Sequence, residues 1–352
     1  MPTYPSWGAA APLLLLALAT ALATAVAIPP MMPLLRRYAL ARPNARSSHK
    51  VPTPQGGGMA IAGVWLVLLL ALVAFVPGMP SGERLSLGVV TLAILVLAVL
   101  GGIDDIRPLP ALGRLLVQFA ACAAVIATLP ASERILPGLL PMAAERILLL
   151  VGLVWFVNLT NFMDGIDWIT AAGFVPLGAA LVLLAAAGAV SPPAGIAGAL
   201  VAGGLLGFAP YNKPVARLFL GDVGSLPIGL LAGYGLIRLA GEGHLVAALI
   251  LPLYYLADST ITLLRRLRAG ERVWDAHRSH FYQRATTHGY AVLEVVTRIG
   301  LLDLVLAVTG ALLALAPTPG RLALGIVVAA CCVASLLVTF NRPRAGSART
   351  AS

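Results

Sequence analysis

Long apolar runs separated by short polar segments make up this chain from end to end. Eleven runs approach the length of about 17 to 25 residues that crosses a hydrocarbon core as a helix. They cover roughly residues 9–30, 57–77, 87–103, 112–129, 147–163, 168–190, 195–211, 226–240, 244–264, 296–316 and 321–340. None has the alternating pattern of a membrane β-barrel strand. The pattern predicts an all-α integral membrane protein, a polytopic bundle of about eleven transmembrane helices in one domain over residues 1–352.

The composition excludes an ordinary soluble domain, because 59% of the residues are apolar and only 11% are charged, against about 25% charged in soluble proteins. Eleven spans put the termini on opposite sides, and nineteen of the 24 Lys and Arg residues fall in one set of loops. The positive-inside rule places that set in the cytoplasm, the N-terminus outside and the C-terminus inside. The net charge of +10 follows this distribution, so we expect contact with anionic membrane lipid and not with nucleic acid.

Four polar side chains at three-residue intervals close the fifth apolar run: Asn158, Asn161, Asp164 and Asp167. Bare amides and carboxylates at the edge of a membrane segment are costly unless they bind something, which indicates a functional site. On a straight helix the first and last would nearly face apart, but a break at Gly165 would bring all four together. The alternative is a capping cluster, in which the two aspartates satisfy the N-terminal amides of the next helix.

Further candidates lie at the same predicted membrane face. Asp104 and Asp105 end the third run, where the negative end of a helix dipole disfavours acids, so we expect metal or proton chemistry there. Arg114 begins the fourth run, either as a phosphate contact or as a positive-inside anchor. Asp222 lies in a glycine-rich turn before the eighth run and is predicted to bind a metal or ligand, with helix capping as the alternative.

Two predicted cytoplasmic loops carry the remaining candidates. In the first, residues 36–58, Lys50 lies near a glycine run whose amides would let an anion approach closely, unless the segment is only a linker. The second, residues 265–298, carries His277, Arg278 and His280 beside aromatic residues. That set suits a sugar phosphate, or a basic helix on anionic lipid. Asp258, in the ninth run, is expected to pair with a neighbouring arginine.

Five motifs in this order resemble those of the polyprenyl-phosphate N-acetylhexosamine-1-phosphate transferases, integral membrane enzymes of glycosyltransferase family 4. They are Pro52-Thr53-Pro54 with Gly56-Gly57, Asp104-Asp105, the Asn158 to Asp167 motif, Phe219-x-Gly221-Asp222-x-Gly224-Ser225, and the loop of His280, and they span about residues 45–290. The resemblance implies transfer of a sugar 1-phosphate from a UDP-N-acetylhexosamine to undecaprenyl phosphate, with release of UMP. It implies a bacterial cytoplasmic membrane, cytoplasmic active-site loops and Mg²⁺ as cofactor, with Mn²⁺ as the alternative metal, and it leaves a homodimer open.

The resemblance also implies a role for each candidate residue. Asp222 and Asn161 would hold the metal, and Asp104 or Asp105 would deprotonate or orient the lipid phosphate. Arg278 and His280 would grip the sugar phosphate. The uridine and pyrophosphate would be surrounded by Asn158, Asp164, Asp167, Lys50, Asn212 and Phe219, with Asp164 and Asp167 among the catalytic groups and with Arg114 and His277 as further substrate contacts.

Departures from the family pattern bear on the substrate. The peptidoglycan branch has consecutive histidines where residues 277–280 of this chain read His-Arg-Ser-His, so the chain is more similar to the branch that initiates O-antigen or a related surface polysaccharide. We expect Trp274, Phe281 and Tyr282 to wall the pocket against a lactyl-peptide substituent, favouring UDP-N-acetylglucosamine or a 6-deoxy relative. Trp168 stands where the family often has glycine. The alternatives are a phospho-N-acetylmuramoyl-pentapeptide transferase, an ion-coupled secondary transporter and a non-catalytic scaffold.

Overall fold

The computed structural model describes residues 9–41, 52–272 and 277–344, and these ranges are almost entirely helical. Their α-helices are α1 (Ala10–Tyr38), α2 (Gly58–Phe75), α3 (Ser81–Ile106), α4 (Ala111–Ala127), α5 (Met142–Phe162), α6 (Ile169–Ala186), α7 (Pro192–Asn212), α8 (Asp222–Leu239), α9 (Leu245–Ile250), α10 (Leu253–Arg268), α11 (Phe281–Thr287), α12 (Val292–Leu315) and α13 (Pro319–Phe340). A π-helical turn, Ala240–His244, joins α8 to α9 with a kink at Gly243. The predicted all-α polytopic membrane class is confirmed.

Nine segments of the described ranges are long and apolar enough to cross a membrane, with α8 and α9 counted as one segment. The other two predicted runs correspond to weaker helices. The fourth run is α4, which has only 17 residues. The ninth run, 244–264, is divided between α9 and the 16-residue α10. Pro252 lies at this division, where its missing amide hydrogen prevents continuous helical bonding.

Helix α8 lies at the centre of the bundle. In the segment Asp222–Ile250, 94% of the most apolar window is buried, whereas the corresponding value for α1 and for α13 is 22%. Helices α3, α5 and α7 pack directly on α8, and α1 and α6 pack on α7. Small residues permit these close approaches. Gly203 and Gly207 of α7 lie so near the backbone carbonyls of Ala17 and Ala21 in α1 that an added Cβ would overlap them.

The polar motifs meet at one end of the bundle, here called the site end. The site end is formed by the C-terminal ends of α3, α5 and α7 and the N-terminal ends of α4, α6 and α8. Two of these ends are joined by the hydrogen bond from the Asp222 amide, at the start of α8, to Asp105 Oδ1, near the end of α3, at 2.9 Å. At the far end Arg238 of α8 is buried, with its Nη2 2.9 Å from Glu133 Oε1 and 3.9 Å from Glu83 Oε1.

A short antiparallel ladder covers part of the site end. Strand β1 (Leu40–Ala41) pairs with β2 (Thr53–Pro54), and Gln55 forms an isolated parallel bridge with Phe219. The glycine run after β2 is used for packing, because an added Cβ at Gly58 would overlap the backbone of Gly224 at the start of α8. In this structure the run therefore fixes α2 against α8.

Candidate active site

Asp105 joins α3 to the first turn of α8. Its Oδ1 accepts hydrogen bonds from the Asp222 amide at 2.9 Å and from Gln55 Nε2 at 3.0 Å, and its Oδ2 accepts from the Val223 amide at 3.1 Å. Free amides at a helix N-terminus need acceptors, and a carboxylate there is also favoured by the helix dipole. The negative end of the α3 dipole disfavours a carboxylate at Asp105. The positive end of the α8 dipole, which Asp105 contacts, favours it.

Asp104 holds the turn between α3 and α4. Its Oδ1 accepts the Leu109 amide at 2.6 Å, and its Oδ2 forms an ion pair with Arg114 Nη1. The same Arg114 nitrogen lies 3.8 Å from Asp222 Oδ2. The guanidinium is therefore held between two carboxylates, with a side chain that is 33% exposed. A partly exposed guanidinium at this position can bind a phosphate by donating hydrogen bonds to its oxygens.

Asp222 is the first residue of α8, and Gly221 with φ 77° is the residue before the helix. Gly221 can supply no side-chain cap to α8, and the first carboxylate of the helix is that of Asp222. The Asp222 Oδ1 accepts from Asn161 Nδ2 at 2.7 Å, and the same Asn161 nitrogen lies 2.9 Å from Ser225 Oγ. The structure thus places the two predicted metal ligands, Asp222 and Asn161, side by side.

The central motif is broken between α5, which ends at Phe162, and α6, which begins at Ile169. This break brings three of the four predicted side chains to one cavity: Asn161, Asp164 and Asp167. Asn158 does not join them, contrary to the expectation for all four. It lies one turn earlier on α5 and donates to Gln118 Oε1 of α4 at 2.7 Å.

Trp168 ends the break in an unusual conformation. Its φ of 64° lies in the left-handed region that glycine adopts freely and that costs other residues about 1 to 3 kcal/mol. This is the position where the family often has glycine. Two hydrogen bonds hold the tryptophan: its amide donates to Asn212 Oδ1 at 2.8 Å, and its Nε1 donates to the Ala209 carbonyl at 2.6 Å. Asn212, predicted to contact substrate, therefore also supports this strained turn.

The acids of the break differ in environment. Burial and, to a smaller extent, the neighbouring carboxylates raise the pKa of Asp164 to about 8, against the lowering effect of a hydrogen bond from Thr170. A cation in the cavity would favour the ionised form of Asp164. Asp167 is buried and accepts the Ala216 amide at 2.9 Å, which ties the break to the loop before α8.

Two cavities meet at the site end. The first, here called the polar cavity, has a volume of about 350 Å³ and is lined by Gln55, Asp105, Asn161, Asp164, Gly165, Ile166, Asp167, Asn212, Phe219, Leu220, Gly221, Asp222 and Gln283. The second, the apolar groove, has a volume of about 410 Å³ and is lined by Ala111, Arg114, Leu115, Gln118, Phe119, Val151, Val154, Trp155, Asn158, Asn161, Phe162, Asp222, Leu226 and Leu263. Asn161 and Asp222 line both.

The late loop is arranged differently from the prediction. His280 is 3% exposed and lines neither cavity. Its Nδ1 lies 3.0 Å from Asp258 Oδ1, so the partner of Asp258 is this histidine and not the expected arginine. His277 stacks on His280 with ring centroids 4.9 Å apart. Burial, together with the nearby His280 and Arg266, lowers the pKa of His277 to about 4, so His277 is neutral at pH 7. Arg278 is half-buried between the two histidines in sequence.

We predicted that Trp274, Phe281 and Tyr282 would wall the donor pocket, and this prediction is wrong for the two that the structure describes, Phe281 and Tyr282. Phe281 and Tyr282 are 3% and 0% exposed and do not line the polar cavity. The hydroxyl of Tyr282 donates to the Phe162 carbonyl at 3.0 Å, which fastens α11 to the end of α5. Trp274 and Lys50 lie outside the described residues.

Sequence reasoning missed three glutamines at the site. Gln55 and Gln283 line the polar cavity, and Gln118 lines the apolar groove. A neutral amide carries no signal in charge or periodicity. The available signal was adjacency, because Gln55 directly follows the Pro52-Thr53-Pro54 motif and Gln283 lies one helical turn after His280.

Several known proteins are similar to this chain in sequence. The family model described as glycosyl transferase family 4 matches residues 87–240. The decaprenyl-phosphate N-acetylglucosaminephosphotransferase of Mycobacterium tuberculosis is 30% identical over 81% of this chain and 78% of its own length. The probable undecaprenyl-phosphate N-acetylglucosaminyl 1-phosphate transferase of Bacillus subtilis is 24% identical over 80% of each chain. The phospho-N-acetylmuramoyl-pentapeptide-transferase of Deinococcus radiodurans is 34% identical over 52% of this chain and 61% of its own.

The identity and coverage of the mycobacterial relative agree with the ordered motifs and with the helical bundle that brings them to one end. The chain therefore belongs to glycosyltransferase family 4, the family of the polyprenyl-phosphate N-acetylhexosamine-1-phosphate transferases.

Proposed function

We propose that this protein transfers N-acetylhexosamine 1-phosphate from a UDP-sugar to undecaprenyl phosphate and releases UMP. The observation that carries the proposal is the meeting of a polar cavity and an apolar groove at Asn161 and Asp222. A polar nucleotide sugar and an isoprenoid phosphate need opposite environments, yet their phosphates must come into contact. These two shared side chains lie where that contact would occur.

The apolar groove suits the lipid acceptor. It runs between α4, α5, α8 and α10, and apolar side chains such as Leu115 and Val151 are 38% and 51% exposed on the surface of the bundle. An isoprenoid chain can therefore enter from the hydrocarbon phase and bury apolar area. Arg114 lies on the groove beside Asp222 and would bind the lipid phosphate through its planar donors.

The reaction proposed is a single phosphoryl transfer. An oxygen of the lipid phosphate attacks the β-phosphorus of the nucleotide sugar. The bond from that phosphorus to the bridging oxygen breaks, and UMP leaves with the bonding electrons; the bond between sugar and phosphate is kept. Such a displacement between anions depends on positioning and charge neutralisation. Arg114 would neutralise charge, Asp104 would hold Arg114, and Asp105 would hold the first turn of α8. The proton-accepting role of Asp104 or Asp105 remains a prediction.

The chemistry of the donor set fits Mg²⁺. Asp222 and the side-chain oxygen of Asn161 are hard ligands, and a magnesium site commonly takes one or two carboxylates and completes its shell with water and substrate phosphates. Within the described ranges, no three His, Cys, Asp or Glu residues form a metal-holding group. We therefore expect the phosphates to supply part of the coordination. When bound, the ion would neutralise charge on the pyrophosphate.

The proposed substrates rest on the relatives. The Mycobacterium tuberculosis and Bacillus subtilis proteins are named as acting on decaprenyl and undecaprenyl phosphate, respectively, with N-acetylglucosamine. We propose UDP-N-acetylglucosamine, or a 6-deoxy relative, as donor and initiation of a surface polysaccharide as the pathway. The excess of basic residues in one set of loops supports a cytoplasmic site end, an external N-terminus and a cytoplasmic C-terminus.

The test is release of UMP by purified protein. We expect release that requires both undecaprenyl phosphate and Mg²⁺ and is fastest with a simple UDP-N-acetylhexosamine. Reactions lacking either component are the controls. If UDP-N-acetylmuramoyl-pentapeptide is the best donor, the proposed branch is wrong although the reaction class stands. If no UDP-sugar yields UMP, the proposed function is wrong.

A further inference from the structure

Asp258 of α10 is a fully buried carboxylate surrounded by hydrogen-bond donors. Its Oδ1 accepts from the Phe281 amide at 3.0 Å and from Thr262 Oγ1 at 3.3 Å. Its Oδ2 accepts from the Tyr282 amide and from the Tyr254 hydroxyl, both at 3.2 Å. The two amides begin α11, whose own preceding residue makes no side-chain cap. A side chain of α10 therefore caps α11.

The same carboxylate orients a histidine. His280 Nδ1 lies 3.0 Å from Asp258 Oδ1. Four other donors already point at the two carboxylate oxygens, so the carboxylate acts only as an acceptor. The hydrogen between the two residues must then lie on Nδ1 of His280. The remaining ring nitrogen, Nε2, is buried and has no hydrogen-bond partner among the described residues.

Two aromatic rings also stack on the imidazole ring of His280. The His277 ring stacks at a centroid distance of 4.9 Å and the Tyr282 ring at 5.7 Å. His277 has the opposite arrangement of hydrogens, because its Nδ1 accepts from the Ser279 amide at 3.3 Å. Asp258 and the two stacked rings leave Nε2 as the one ring nitrogen of His280 that can bind another group.

The position of His280 connects it to the active site. Its ring centroid lies 6.5 Å from that of Phe162, which follows Asn161 and lines the apolar groove. Gln283, one turn further along α11, lines the polar cavity. The contact between α10 and α11 therefore sets both the ring of His280 and the helix that carries Gln283.

We propose that Asp258 is a positioning residue. It holds His280, which lies beside Phe162 of the apolar groove but lines neither cavity, with its hydrogen on Nδ1, so that Nε2 is the nitrogen available to a phosphate group of the substrates. The inference rests on the proposed function. In the imidazolium form both ring nitrogens carry a hydrogen, and the one on Nε2 can be donated to a phosphate oxygen while Asp258 holds the one on Nδ1. For a metal-ligating histidine, loss of the orienting carboxylate lowers activity or affinity by about 10 to 100-fold, and we expect a similar factor for His280.

The first experiment is a double-mutant cycle measured by UMP release. Asp258→Asn should lower turnover by about 10 to 100-fold, and His280→Gln by a similar factor. Because Asp258 acts through the ring, the double variant should fall no more than about 3-fold below His280→Gln. Thr262→Val removes another donor to Asp258 without touching the histidine, and it should keep turnover within about 2-fold. Multiplicative losses in the double variant would show a merely structural role and overturn the proposal.

The second experiment needs no substrate. NMR of the ring nitrogens in histidine-labelled protein reports which nitrogen carries the hydrogen, and the signal absent in His280→Gln identifies the residue. We expect His280 to carry it on Nδ1 in the wild type and in Thr262→Val, and to lose that preference in Asp258→Asn. A hydrogen on Nε2 in the neutral wild-type ring would overturn the proposal, even if Asp258→Asn fails to fold. Failure of UMP release with the expected NMR result would count against the proposed function alone.

Discussion

Gly101 and Gly102 give a matched pair of substitutions that tests how α3 positions the site. An added Cβ at Gly101 would lie 2.5 Å from the Val223 backbone nitrogen and would also overlap the Asp222 carbonyl group. Non-bonded atoms need about 3.5 Å, so α3 must move from α8 by about 1 Å. Asp105, one helical turn further along α3, would move with it and lose its bonds to the first amides of α8.

The expected effect of Gly101→Ala is large on turnover and small on folding. A misplacement of about 1 Å in an active site costs about 10²-fold, which corresponds to about 2.7 kcal/mol of barrier. Alanine is also a better helix former than glycine by up to about 1 kcal/mol, which offsets part of the packing cost. The assay is Mg²⁺-dependent UMP release at saturating donor, with the thermal midpoint measured in the same detergent.

Gly102→Ala is the control. Its added Cβ would lie 3.7 Å from the Val223 side chain, an ordinary contact, and its helix propensity changes by the same amount. We expect turnover within about 3-fold of wild type. Equal losses in both variants, or near-normal turnover in Gly101→Ala, would refute the argument that close backbone contact between α3 and α8 positions Asp105.

Three further predictions concern the metal, the topology and the far end. Asp222→Asn should lower turnover by about 10²-fold or more; near-normal activity at low Mg²⁺ would contradict its assignment as a ligand. Single cysteines near Asp104 and Asp164 on a cysteine-free background should resist an impermeant thiol reagent in intact cells, and labelling from outside would contradict the topology. Burial raises the pKa of Glu133 from 4.5 to about 7, against the attraction of Arg238. A raised folded-state pKa means that stability is lost as pH rises through about 7, so Glu133→Gln should flatten the fall of the thermal midpoint between about pH 5 and pH 8; an unchanged slope would refute this.

The sequence by itself determined the membrane class and the approximate positions of the helices, because hydropathy is a local property that neighbouring residues share. It also indicated which residue types belong to the site. Polar groups such as Asp104, Asn161 and Asp222 at the ends of apolar runs must find partners, whatever the fold. Alternating helix directions then predicted that these ends meet on one face, which is the arrangement found at the site end.

Only the tertiary structure decided which partner each group has. The carboxylate of Asp105 accepts an amide 117 residues away, and Asp258 pairs with His280 where an arginine was expected. The left-handed turn at Trp168 is maintained by contacts with α7. A buried carboxylate can be satisfied by an arginine, a histidine or a helix N-terminus at similar free energy. The choice depends on which donor the packed helices bring within about 3 Å, and local sequence contains no information on that distance.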